Sequence, residues 1–111
     1  MSKLDEKIAL YESEMKKLGI SFDADLLAKV TKGLGPSIYK KDAETVSGSD
    51  AKELATVKNN FLIKKLGLSD DAKLDAAMEK AVEIMGKSNR NKYRAIFYYI
   101  LVKEFGKESI Y

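Results

Sequence analysis

Ala95-Ile96-Phe97-Tyr98-Tyr99-Ile100-Leu101-Val102 carries no charge over eight residues, and these residues decide the fold. A helix written through them has no face meant for water. Such a helix is buried at the centre of its own chain or shared with a second one. Tyr98 and Tyr99 each bring an apolar ring and a hydroxyl that needs a partner. At 1.5 Å per residue the run is about 12 Å long, against the ~30 Å of a bilayer core, so no membrane span is expected.

Working backward, Ser88-Asn89-Arg90-Asn91-Lys92-Tyr93-Arg94 leads into this run, and the fifth predicted helix extends from about Asn89 to Phe105. Its start is cationic, although the partial positive charge of a helix N-terminus favours acids. No acid lies between Glu83 and Glu104, and Arg90 and Arg94 are the only arginines beside eighteen lysines. Arginine suits bidentate contacts with phosphate or carboxylate, and positions 90 and 94 share one helix face. Ser88, Asn89, Arg90, Asn91, Lys92 and Arg94 are therefore the candidate binding residues. Three readings stand open: internal pairing with acids of neighbouring helices, a phosphate or other anion site, and docking of an acidic protein surface.

Further out, glycines punctuate helical patterns. Leu4, Ile8, Tyr11, Met15 and Leu18 form an amphipathic stripe that stops at Gly19. Leu26, Leu27 and Val30 make a short second helix ending at Gly33. Asp50 and Glu53 have capping-box spacing and open a third helix through Leu54, Val57, Phe61, Leu62 and Leu66, closed by Gly67. Leu74, Ala77, Met78, Ala81, Val82 and Met85 form a fourth, ending at Gly86. Lys16-Lys17-Leu18-Gly19-Ile20-Ser21-Phe22-Asp23-Ala24 is echoed by Lys64-Lys65-Leu66-Gly67-Leu68-Ser69-Asp70-Asp71-Ala72. Both read as a lysine-rich last turn, a left-handed glycine, an apolar residue closing a Schellman motif, and Ser21 or Ser69 capping the next helix. No stretch alternates with period two, so no sheet is expected. The fold class is all-α: one domain over residues 1–111, a compact bundle of five to six helices with two αα-hairpins around a central C-terminal helix.

Between Gly33 and Ser49 the pattern fails. Gly33-Leu34-Gly35-Pro36-Ser37-Ile38-Tyr39 has room for one helical turn with Pro36 at its first position, and Lys40 through Gly48 reads as open loop. Gly35, Ser37 and Tyr39 are a weaker candidate site here, either on a binding loop or on a strap that packs Ile38 and Tyr39 onto the core.

The chain has 111 residues, no cysteine, no histidine and a net charge of +3. Without cysteine the core alone must hold the fold, as is usual in the cytosol. Without histidine the commonest general base and metal ligand is missing, and neither a Walker loop nor an HExxH motif occurs. Met1-Ser2-Lys3-Leu4-Asp5-Glu6 has no apolar signal core. A cytoplasmic, non-enzymatic protein without cofactor or metal is expected. Charge is segregated: residues 1–25 and 70–86 are acidic, while residues 26–69 and 87–111 are basic. The segments are expected to face one another in the fold.

Gly33-Leu34-Gly35-Pro36-Ser37-Ile38-Tyr39, Glu44-Thr45-Val46-Ser47, Lys58-Asn59-Asn60-Phe61-Leu62-Ile63-Lys64-Lys65-Leu66-Gly67 and Ser88-Asn89-Arg90-Asn91-Lys92-Tyr93-Arg94-Ala95 together resemble a small bacterial family known as domain of unknown function 2853. The resemblance spans essentially the whole chain. It implies a bacterial, stand-alone, cytoplasmic protein and carries over no catalytic residue. The functional expectation is a protein-interaction module, docking an unidentified protein or a second copy of the chain. The alternative is a phosphate- or nucleic-acid-binding protein using the basic start of the last helix; steep salt dependence separates the two.

Overall fold

Seven buried residues of one helix organise the molecule: Ala95, Ile96, Phe97, Tyr98, Tyr99, Leu101 and Val102. The computed structural model describes residues 2–48, 50–89 and 92–111. Its α-helices are α1 (Lys3–Lys17), α2 (Ala24–Gly33), a single turn α3 (Lys41–Glu44), α4 (Ala51–Val57), α5 (Ala72–Met85) and α6 (Arg94–Glu104). A 3₁₀ segment, Gly35–Tyr39, precedes α3, and another, Glu108–Ile110, ends the chain. No strand forms among the described residues; one isolated antiparallel bridge joins Thr45 to Tyr93. This is the all-α bundle that the periodicities predict.

Helix α6 lies at the centre, packed against α1, α2, α3 and α5. Its own chain therefore covers the uncharged run, without help from a second one. The two tyrosines find their partners: Tyr99 Oη accepts a 2.8 Å bond from the Asp23 amide, and Tyr98 Oη accepts one from Arg94 Nη1 at 3.1 Å. No helix among the described residues is long and apolar enough to cross a membrane.

The first of the echoed turns is the Schellman motif expected of it. Ile20 N–H bonds to Met15 O and Gly19 N–H to Lys16 O. Gly19 and Gly67 both stand at positive φ, +74° and +71°, with open space where a Cβ would sit. The next helices, however, start two residues later than Ser21 and Ser69 allow. Asp23 and Asp71 are the caps, their carboxylates accepting from Asp25 N and Leu26 N and from Lys73 N. A carboxylate offers a charged acceptor to the helix N-terminus, where a serine offers a neutral one.

The second turn differs because the third predicted helix changes pitch. After α4 the chain continues as a π-helix, Lys58–Lys65. Val57 and Leu66 are both core residues nine positions apart, which is about two and a half α-turns. In an α-helix they would point to opposite sides. Widening the bonds to i→i+5 brings Val57, Phe61, Leu62 and Leu66 onto one face. Leu66 N–H accordingly bonds to Phe61 O, and Leu68 N–H reaches Leu62 O, one residue beyond a standard Schellman contact.

The segment expected as open loop is a strap. Ile38 and Val46 are core residues, Lys41–Glu44 forms a helical turn, and Val46 N–H bonds to Lys92 O at 2.7 Å. That bond and the Thr45–Tyr93 bridge hold residues 92–93 in extended pairing, so α6 begins at Arg94 and not at Asn89. Of the two residues that the strap reading packs onto the core, Ile38 is buried, while Tyr39 points outward and is 46% exposed.

Candidate functional site

Two cations of the stretch leading into the last helix, Lys92 and Arg94, are turned inward. Arg94 Nε donates to Ala43 O at 2.7 Å, Nη1 to Tyr98 Oη, and Nη2 pairs with Glu53 Oε1. Burial works against its charge, but the bonds to Tyr98 and Glu53 outweigh that and hold its pKa above the usual arginine value. Glu53 thus serves α6, not the reciprocal half of a capping box; Asp50 alone caps α4, accepting from Lys52 N and Glu53 N. Lys92 is only 4% exposed and has no ion pair among the described residues. Its Nζ donates to the carbonyls of Lys87 (3.0 Å) and Asn89 (2.6 Å), drawing the loop after α5 around an ammonium group. Burial lowers its pKa. Ser88 is exposed, Asn89 Nδ2 donates to Met85 O, and Arg90 and Asn91 lie outside the described residues. The structure therefore brings Lys92, Asn89 and the Lys87 carbonyl together. Arg94 belongs to a separate cluster with Glu53, Ala43 and Tyr98.

Of the second candidate set, Gly35 opens the 3₁₀ segment, Ser37 Oγ donates to Leu34 O, and only the Tyr39 side chain is presented outward. A third polar cluster was not legible in advance. Glu44 Oε2 accepts from both Lys7 Nζ and Tyr11 Oη at 2.7 Å, stapling the strap to α1. Burial first, then the Glu44 bond, pushes the Tyr11 phenol well above its ordinary pKa.

An apolar cleft lies elsewhere. A cleft of about 590 Å³ runs between α4 and α5, lined on one wall by Ala51, Leu54, Ala55 and Lys58 and on the other by Asp75, Met78, Glu79 and Val82, with Lys87 just past the end of α5. Lys58 closes one end, its ammonium 2.9 Å from Asp70 and 3.3 Å from Asp75. The Asp70 hydrogen bond holds Lys58 above the usual lysine pKa. Gly48 marks the other end beside Val82 and the Lys92 stem; a Cβ there would lie 3.0 Å from Val82 Cγ1. Leu54, Met78 and Val82 appeared in the sequence only as core-stripe residues. The available signal was Ala51 and Ala55, two small residues one turn apart where a larger side chain would have filled the space.

A family model described as a protein of unknown function, DUF2853, matches residues 10–109. The chain belongs to the DUF2853 family. Among curated proteins none matches it. The family match runs from within α1 to the last 3₁₀ segment, so both walls of the cleft, the Arg94 cluster and the Lys92 loop of this DUF2853 chain all lie inside it.

Proposed function

We propose that this DUF2853 chain is a non-enzymatic protein-interaction module of the cytoplasm, and that it receives an apolar segment of a partner protein in the cleft between α4 and α5. The observation that carries the reading is the cleft itself: an open apolar trough of about 590 Å³ whose floor is made by Leu54, Met78 and Val82. Grooves between two helices are recurrent receptors for a partner's apolar side chains. Polar groups stand at its rim and do not converge on its floor, as they would in a site built to orient a small metabolite. Helix α6 is covered by its own neighbours, and the strap turns Ile38 and Val46 into the core, leaving Tyr39 as its exposed ring. The phosphate-binding alternative draws no support from Arg94 or Lys92, whose head groups meet Glu53 and backbone carbonyls.

The test is a titration of ¹⁵N-labelled protein with an uncharged helical peptide built from alanine, glutamine and a leucine stripe. Amide shifts centred on Leu54, Ala55, Met78 and Val82, and absent in Ala55→Leu, support the reading. Shifts scattered over the surface, or unchanged in Ala55→Leu, overturn it.

A further inference from the structure

The two walls of the cleft have the same spacing and opposite character. Ala51, Leu54, Ala55 and Lys58 stand at i, i+3, i+4 and i+7 of one helical face, and so do Asp75, Met78, Glu79 and Val82. Lys58 meets Asp75 at one end and Gly48 meets Val82 at the other, so the helices run antiparallel. Each wall is two turns long, about 10 Å. Along the α5 rim Asp75, Glu79 and Glu83 recur every four residues, all exposed. Asp75 is held by Lys58, and Glu83 meets Lys87 of its own helical neighbourhood only at 3.8 Å. Glu79 has no ion-pair partner among the described residues. The lysines of α5, Lys73 and Lys80, lie on the opposite side, against Glu104 and Phe105. Acidic charge is thus sorted to the cleft side of α5, while the lysines that line the cleft, Lys58 and Lys87, stand beyond that helix, each paired with an α5 acid.

We infer that the occupant of the cleft is a basic amphipathic helix of a partner protein. Its apolar stripe sits on Leu54, Met78 and Val82, and its lysine or arginine flank lies along Asp75, Glu79 and Glu83. This rests on the docking reading given above and adds the chemistry of the partner. A two-turn trough between helices fits the i, i+3, i+4, i+7 anchors of a third helix, and a cationic flank complements the acidic rim.

Two fluorescein-labelled sixteen-residue peptides with an identical leucine stripe, one with a lysine flank and one with a glutamate flank, serve as probes. Anisotropy is read at 50 mM salt against the wild type, Glu79→Lys and Ala55→Leu, each checked by far-UV circular dichroism. The lysine peptide is expected to bind the wild type at least tenfold tighter than the glutamate peptide. Glu79→Lys should reduce that ratio at least tenfold, and Ala55→Leu should abolish binding of both. Equal binding of the two peptides, lost in Ala55→Leu, overturns the basic partner and leaves the docking groove standing. Binding of neither peptide, or lysine-peptide binding undiminished in Ala55→Leu, overturns both.

Discussion

Arg94 shows how much a single side chain can decide. It joins the start of α6 to α4 through Glu53 and to the strap through Ala43 O, all in a half-buried setting. Removing it leaves a carboxylate and a carbonyl without their donor, and an unsatisfied group costs more than the bond was worth. Arg94→Met is therefore expected to lower stability by about 2–3 kcal/mol in urea unfolding. Arg94→Lys should recover only part of this, because one ammonium cannot reproduce the three-way fork. A double-mutant cycle with Glu53→Gln should return a coupling of about 1–3 kcal/mol; a coupling near zero would show the pair to be incidental. Tyr11 gives a second test, set by pH. Its phenol is raised by burial and by Glu44, and Tyr111 is pushed up to about 12 by burial. The folded state keeps these protons above pH 10 while the unfolded chain loses them. Their contribution is complete below pH 10 and is lost as pH rises toward 12 and beyond. Each such tyrosine adds about 1.4 kcal/mol per pH unit to the fall in that window. Tyr111→Phe keeps the ring against Gly33 and should flatten the alkaline slope without changing stability at pH 7, read from urea midpoints across pH 9–12.

At the scale of elements, local rules with short reach were legible. The stripe of α1, the glycine stops and the lysines of the last turns all follow from chemistry within one or two turns, and all are found in place. Positions set by distant partners were not. The Asn89 start of the last helix failed because residues 92–93 pair with Thr45 and Val46, nearly fifty positions away. Glu53 had the spacing of a capping box yet turns to Arg94, forty-one positions on. The cleft was illegible for a related reason: it is a gap between two stripes, and each stripe alone reads as core. The pitch change after Val57 could have been read, since Val57, Phe61 and Leu66 are spaced four and five apart. It makes a specific prediction about the echoed glycines. Gly19→Ala and Gly67→Ala both force a side chain into the left-handed region, at about 1–2 kcal/mol each, with nothing nearby to clash. The Gly19 turn has the standard pair of Schellman bonds, and the Gly67 turn is stretched to Leu62. Thermal denaturation should therefore show losses of similar size, confirming that the cost lies in φ and not in the bond pattern. A far larger loss at Gly67 would mean that the π-helix itself depends on it.

The whole molecule is built as a hub with one peripheral wall. Helix α6 packs on α1, α2, α3 and α5, so opening it exposes the core from every side. Helix α4 has seven residues, of which only Val57 is buried, and it leans chiefly on the π-helical segment that follows it. Local stability tracks buried apolar contact, and elements with little of it open separately from the rest. Native-state hydrogen exchange should divide the molecule accordingly. Amides of α6, around Phe97 and Leu101, should exchange only through global unfolding, with a free energy equal to that from urea. Amides of α4, from Leu54 to Val57, should exchange through a smaller opening with weak denaturant dependence. Leu101→Ala, a fully buried site, is expected to cost about 2–5 kcal/mol and to lower protection in both places. Leu54→Ala should lower it in α4 alone. A cleft with one firm wall, α5 anchored on α6, and one yielding wall can adjust its width to an incoming helix without disturbing the core. If α4 and α6 instead exchange with the same free energy and the same denaturant slope, the groove is rigid, and a partner must fit it as it stands.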